Sequence, residues 1–135
     1  MDDPRHIETQ IAYAKFKKQH EDNTELLQSF NFDNETILRK FTHWIIIKNR
    51  FPYDKMAKIN DMLVCKRPIP SHYVGTQSEQ QEYHTILQLL AKEGYYDALI
   101  ENFPKVKSVK KFAHTHLVVW QNSDKKQNNC KTPPA

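Results

Sequence analysis

Apolar positions fall into a few short runs separated by polar stretches rich in Pro, Asn and Asp. The run Trp44-Ile45-Ile46-Ile47 puts β-branched and aromatic residues on consecutive positions. A strand over 41–49 with both faces buried follows, as in the centre of a sheet. Met62-Leu63-Val64-Cys65-Lys66 predicts a second strand, stopped by Pro68 and Pro70. Between them, 50–60 carries Pro52 and several polar residues and reads as a loop. Residues 112–120, FAHTHLVVW, predict a third strand. Helical periodicity is clearest over 76–93, where Tyr83, Ile86, Leu87 and Leu90 recur at i, i+3, i+4 and i+7. Thr76 and Glu79 supply a capping box, and Gly94 stands where a C-terminal cap glycine belongs. A first helix is expected over 3–20, with Asp3 as N-cap, Pro4 at the first helical position and an Ile7, Ile11, Ala14 stripe. A short helix with Leu26, Leu27 and Phe30 is expected over 23–30. The segment 95–102 fits either a short helix or a strand. The order helix, strand, strand, helix, strand predicts an α+β fold: a mainly antiparallel sheet with helices packed on one face.

Length sets the organisation. With 135 residues, the chain is expected to form one domain over 1–120, with 1–40 as a helical N-terminal extension. The polar segment 121–135 has no periodicity and is expected to be a disordered tail. No apolar run approaches the ~20 residues of a membrane span, and Met1-Asp2-Asp3 is unlike a signal peptide. A cytoplasmic protein without a membrane partner is expected. Cys65 and Cys130 make neither a disulfide framework nor a zinc knuckle. Gly75 and Gly94 are the chain's two glycines, which excludes Gly-rich phosphate loops. The net charge of +4 is too small for a nucleic-acid footprint. Lys105, Lys107, Lys110 and Lys111 form the one basic cluster, read as a solvated turn with phosphate reception as the alternative.

Chemistry concentrates in Ser108-Val109-Lys110-Lys111-Phe112-Ala113-His114-Thr115-His116-Leu117-Val118. Alternate side chains of a strand share a face, so His114 and His116 point the same way, roughly 7 Å apart. Phe112, Val118 and Trp120 accompany them. Three roles are open to such a pair: metal ligation with a third ligand from His43, His72 or Asp61, nucleophilic and acid–base catalysis, or a structural role. Elsewhere, Trp44 and Trp120 read as core or interface. Cys65 reads as a small buried hydrophobe. His43 is expected at the rim, His72 and His84 lack motif partners, and Tyr53-Asp54 belongs to a turn.

The His-x-His pair followed by Leu-Val-Val resembles the signature of the histidine triad (HIT) superfamily. WIIIKNRFPYD is similar to that family's strand leading into an Asn-x-Phe-Pro loop, and DMLVCKRP to its following strand. The helix over 76–93 stands in the place of the family's long helix. The resemblance spans roughly 41–120. His114 aligns with the middle histidine and His116 with the last, while Phe112 occupies the first position. A histidine often found after the loop is replaced by Asn60 or Asp61.

The resemblance implies a nucleotide-binding protein that needs no cofactor or metal. His114 would attack an α-phosphorus to form a nucleotidyl-histidine, with His116 bonding the phosphate. Ser108 would support the phosphate oxygens, and Asn49 and Phe51 would lie beside the nucleoside. The partner implied is a nucleoside monophosphate or nucleotide conjugate, with a homodimer possible. The activity implied is nucleotide phosphohydrolase or nucleotidyltransferase. A degenerate domain that binds nucleotide or protein without turnover is the alternative that Phe112 raises.

Overall fold

The computed structural model describes residues 3–19, 35–103 and 112–122. The helix expected over 23–30, the four-lysine cluster, Ser108, Cys130 and all of the tail beyond residue 122 lie outside the described residues. The architecture is α+β: among the described residues, a five-stranded antiparallel sheet and two helices. In chain order the elements are α1 (Ile7–Gln19), β1 (Ile37–Lys40), β2 (Trp44–Lys48), β3 (Ala57–Cys65), α2 (Gln77–Glu93), β4 (Ala98–Ile100) and β5 (His114–Trp120). A 3-10 turn, His72–Val74, immediately precedes α2. The strand order is β1-β2-β3-β5-β4.

β2 is buried from Trp44 to Ile47, because the sheet is covered on both sides there. One face carries Trp44, Ile46, Leu63, Cys65 and Leu117 against Tyr83, Ile86 and Leu90 of α2. The other carries Ile45, Ile47, Met62, Val64 and Phe112. Each large apolar side chain so buried contributes about 1.5–3 kcal/mol. Trp44 also donates its indole N–H to the Glu79 carbonyl at 2.9 Å, satisfying its polar atom inside the core. Cys65 is buried as expected, and burial pushes its thiol pKa up.

α2 forms where the periodicity placed it. The Thr76 side chain accepts from the Glu79 N–H, Glu79 returns a bond to the Thr76 N–H, and Gly94 takes the left-handed conformation at φ 72°. Glu79 further receives both Arg67 Nε at 3.0 Å and Nη2 at 2.8 Å. This fastens the end of β3 to the first turn of α2 and holds the Glu79 carboxyl down at about 2, with Arg67 the main cause.

The strands add to the expectation in three places. β3 starts at Ala57, not Met62, and pairs with β5 from Ala57↔Trp120 to Val64↔His114. Its polar residues Asn60 and Asp61 obscured it, yet both are buried and hydrogen-bonded on opposite faces. β1 is an edge strand of four residues whose burial merely alternates, and it lies within the stretch expected to be helical. The ambiguous 95–102 segment contains β4.

α1 begins at Ile7, not at Pro4. Asp3 instead accepts from the Arg5 N–H at 3.0 Å in a turn before the helix. Its Ile7 and Ile11 are 60% and 58% exposed, so the anticipated stripe is not the packed one. The inward stripe is Thr9, Tyr13 and Phe16. α2 packs on the sheet, whereas α1 is fastened to the loop between β2 and β3. Tyr13 and Phe16 meet the Phe51 ring at 5.0 and 5.3 Å. The Lys55 N–H donates to Pro4 O at 2.8 Å, and Asp54 accepts from the His6 N–H and the Thr9 hydroxyl.

Candidate active site

Register decides which face the histidines occupy. His114 lies opposite Val64 and His116 opposite Met62. Both therefore sit on the face of Ile45, Ile47 and Phe112, away from α2. Thr115 points to the α2 side, where its hydroxyl meets Tyr83 Oη at 2.8 Å. The two imidazoles are edge to face, centroids 5.5 Å apart and planes at 73°. They are nearly enclosed, at 4% and 2% exposure.

Fixed backbone groups assign the proton on each ring. The His114 Nδ1 lies 3.1 Å from the Phe112 carbonyl oxygen. A carbonyl only accepts, so Nδ1 carries the hydrogen and Nε2 of the neutral ring has the lone pair. For His116 the assignment runs through Asn60. Asn60 Oδ1 faces the Tyr53 N–H at 3.0 Å, which can only donate. Asn60 Nδ2 faces the Asp61 carbonyl at 3.1 Å, which can only accept. The amide is thereby oriented, and Nδ2 donates to His116 Nδ1 at 3.2 Å. His116 consequently holds its proton on Nε2. That atom is buried and has no hydrogen-bond partner among the described residues.

The pair is thus chemically complementary: one ring offers a nitrogen lone pair, the other an N–H. Burial pushes the His116 pKa down to about 3, with smaller contributions from His114 and the Arg5 charge. It is neutral at pH 7. An unpartnered buried donor costs roughly 1–3 kcal/mol, which an acceptor oxygen placed there recovers.

Tyr53 completes this corner. Its ring stacks on His116 with centroids 4.5 Å apart, and its hydroxyl accepts from Asn102 Nδ2 at 3.2 Å. A cavity of about 280 Å³ lies mainly on the α2 side, lined by Trp44, His72, Tyr83 and Thr115, and it also takes in His114 and Asn102. That is near the lower end of the range for small-ligand pockets.

No family model matches the chain. No curated protein matches it either. The chain is similar to the crystal structure of HTC1. The two share 15% sequence identity at a TM-score of 0.51, over 97% of this chain and 89% of HTC1. At that identity the likeness is one of fold.

The residues singled out by sequence are partly assembled. His114 and His116 share a face. Asn49 is buried and joins them indirectly: its Nδ2 donates to Asn60 Oδ1 at 3.1 Å, and its Oδ1 accepts from the Phe51 N–H at 3.0 Å. Both ends of the Asn49 amide are therefore engaged in holding the loop. The Phe51 ring is occupied by Tyr13 and Phe16 of α1. Ser108 lies outside the described residues. Phe112 is buried among Ile45, Ile47, Met62 and Val64, where it serves as an apolar packing group.

The third ligand that a metal reading requires is not brought to the pair. Asp61 turns to the opposite face and accepts from the Tyr96 hydroxyl, while burial raises its pKa. His72 is paired with Glu101 at 2.7 Å and stacked on Tyr83. Among the described residues no group of three or more His, Cys, Asp or Glu could hold a metal ion. No described helix is long and apolar enough to cross a membrane.

Sequence reasoning missed Tyr53, Asn102 and Arg5 as neighbours of the pair. Tyr53 carried one usable signal: it follows the Asn-Arg-Phe-Pro stretch, so a turn returning to β3 brings it over the sheet. Arg5 carried none, because the docking of α1 is a long-range contact.

Proposed function

We propose that this chain is a HIT-like nucleotide-binding protein and a nucleotide phosphohydrolase or nucleotidyltransferase acting at the α-phosphate. The observation that carries the reading is the opposed tautomers of His114 and His116. In the proposed first step, the His114 Nε2 lone pair attacks the α-phosphorus. An N–P bond forms and the bond from phosphorus to the leaving group breaks, the leaving group taking its proton from solvent. The Phe112 carbonyl stabilises the positive charge that develops on the His114 ring, through the Nδ1–H it already accepts. The His116 Nε2–H donates to a non-bridging phosphate oxygen as charge builds there. Neutral N–H donors aimed at such an oxygen in a dry site are worth several kcal/mol in a transition state. Water, losing a proton, then attacks phosphorus and breaks the N–P bond. This releases the nucleoside monophosphate and restores His114.

One observation favours binding without turnover as a second reading: Phe112 can neither donate nor accept a proton where the HIT pattern has its first histidine. Turnover of an AMP ester or phosphoramidate separates the two. The hydrolytic reading expects turnover by wild type and none by His114→Ala. Binding of AMP without turnover by either protein would favour the degenerate domain, and neither binding nor turnover would refute both.

A further inference from the structure

Arg5 reaches the histidine face from the turn that precedes α1. Its Nε donates to the Phe51 carbonyl at 2.7 Å. Its guanidinium carbon lies 4.7 Å from the centre of the Tyr13 ring and 4.8 Å from that of Tyr53. Tyr53 in turn stacks on His116. The guanidinium is therefore one aromatic layer from the imidazole whose Nε2–H has no acceptor among the described residues. Its side chain is only 12% exposed, and among the described residues the carboxylate facing it, Asp3, stands 3.5 Å away and is 38% exposed. That is a long single contact rather than the paired, bidentate kind that neutralises an arginine. A desolvated cation and a buried N–H with no partner among the described residues, on either side of the Tyr53 ring, together call for an anion.

We propose that Arg5 is an anion-anchoring residue of the His114–His116 site, delivered by α1, and that the anion is the phosphate of the substrate. The identity of that anion rests on the nucleotide reading above; the anion site itself does not. The planar group of Arg5 is held by two rings and, through Nε, by one carbonyl, while Nη1 faces Asp3 at 3.5 Å.

The competing role is a plain staple between α1 and the loop. Titrations of inorganic phosphate, AMP and uncharged adenosine into wild type, Arg5→Gln and Asp54→Asn separate the two. Asp54→Asn weakens the anchorage of α1 while leaving the Arg5 charge in place. Loss of one charge-assisted contact should weaken AMP and phosphate binding about tenfold to a hundredfold in Arg5→Gln. Adenosine binding should change less than about twofold, and Asp54→Asn should leave phosphate binding within about threefold of wild type. Equal phosphate affinity in wild type and Arg5→Gln overturns the inference, as does an equal loss in Asp54→Asn. So does absence of phosphate binding by wild type up to roughly 10 mM. Arg5-dependent phosphate binding without nucleotide turnover upholds the anion site and rejects the hydrolytic reading.

Discussion

Replacing Asn60 by Asp keeps the size of the side chain and reverses what it offers to His116. One carboxylate oxygen still accepts from the Tyr53 N–H and from Asn49 Nδ2, the bonds that orient the native amide. The other oxygen now faces His116 Nδ1, where the native Nδ2 donated at 3.2 Å. Two acceptors cannot share that contact, so the imidazole proton moves to Nδ1, or the ring takes a second proton. At about 4 Å between charge centres and an effective dielectric near 20, the attraction is ~4 kcal/mol, or about three pH units. His116, held at about 3 in the native protein by burial, is then expected to titrate near ~6. Long-range 15N–1H correlation spectra across pH 3–8 report both the tautomer and the pKa. The expected native spectrum is a neutral Nε2–H ring throughout the neutral range. The unfolded chain protonates this histidine near 6.5 and the folded chain only near 3, so native stability falls as pH drops through that window. Asn60→Asp narrows the window and weakens that acid sensitivity, although the lost bond to the Asp61 carbonyl costs about 1–3 kcal/mol at neutral pH. A native His116 protonated on Nδ1, or a pKa that the substitution leaves in place, would refute the tautomer argument.

Other perturbations test separate parts of the account. Phe112→His puts a polar ring among Ile45, Ile47, Met62 and Val64; chemical denaturation is expected to show a loss of about 1–3 kcal/mol, while turnover rises over wild type. Glu79 has its pKa lowered to about 2 from 4.5, so its contribution is complete above 4.5 and is lost as pH falls towards 2. In Glu79→Gln that acid step should shrink, with a loss near neutral pH of about 1–2 kcal/mol once screening at exposed Arg67 is allowed for. Leu63→Ala opens a cavity in a fully buried part of β3 and should lower stability by about 2–5 kcal/mol without altering phosphate affinity; a loss below 1 kcal/mol would contradict the packing described.

How much of this was legible in the sequence depends on how local each signal was. α2 was fully readable, because its cap, its stripe and its terminal glycine all lie within the element. β2 was readable because four consecutive apolar residues need burial on both faces. β1 was not: Ile37-Leu38-Arg39-Lys40 has no pattern of its own and is strand only because β2 pairs with it. β3 was cut short because Asn60 and Asp61 look like loop residues, and only the assembled sheet gives them partners. For the same reason the site was half visible. The spacing of His114 and His116 placed them on one face, but the groups that fix their protons are a backbone carbonyl and an asparagine on another strand. α1 was misread in phase: its packed residues are aromatic and polar ones that meet a loop, while its isoleucines face outward.

The central claim is that His114 bonds covalently to phosphorus. Its most direct test is rapid mixing with an adenosine 5′-phosphoramidate, alkaline quenching to preserve phosphoramidate bonds, and peptide mass spectrometry. The account predicts an adenylyl adduct on the peptide carrying His114, absent from His114→Ala and still formed, more slowly, in His116→Ala. Substrate turnover with no adduct on that peptide, or turnover undiminished in His114→Ala, would contradict it.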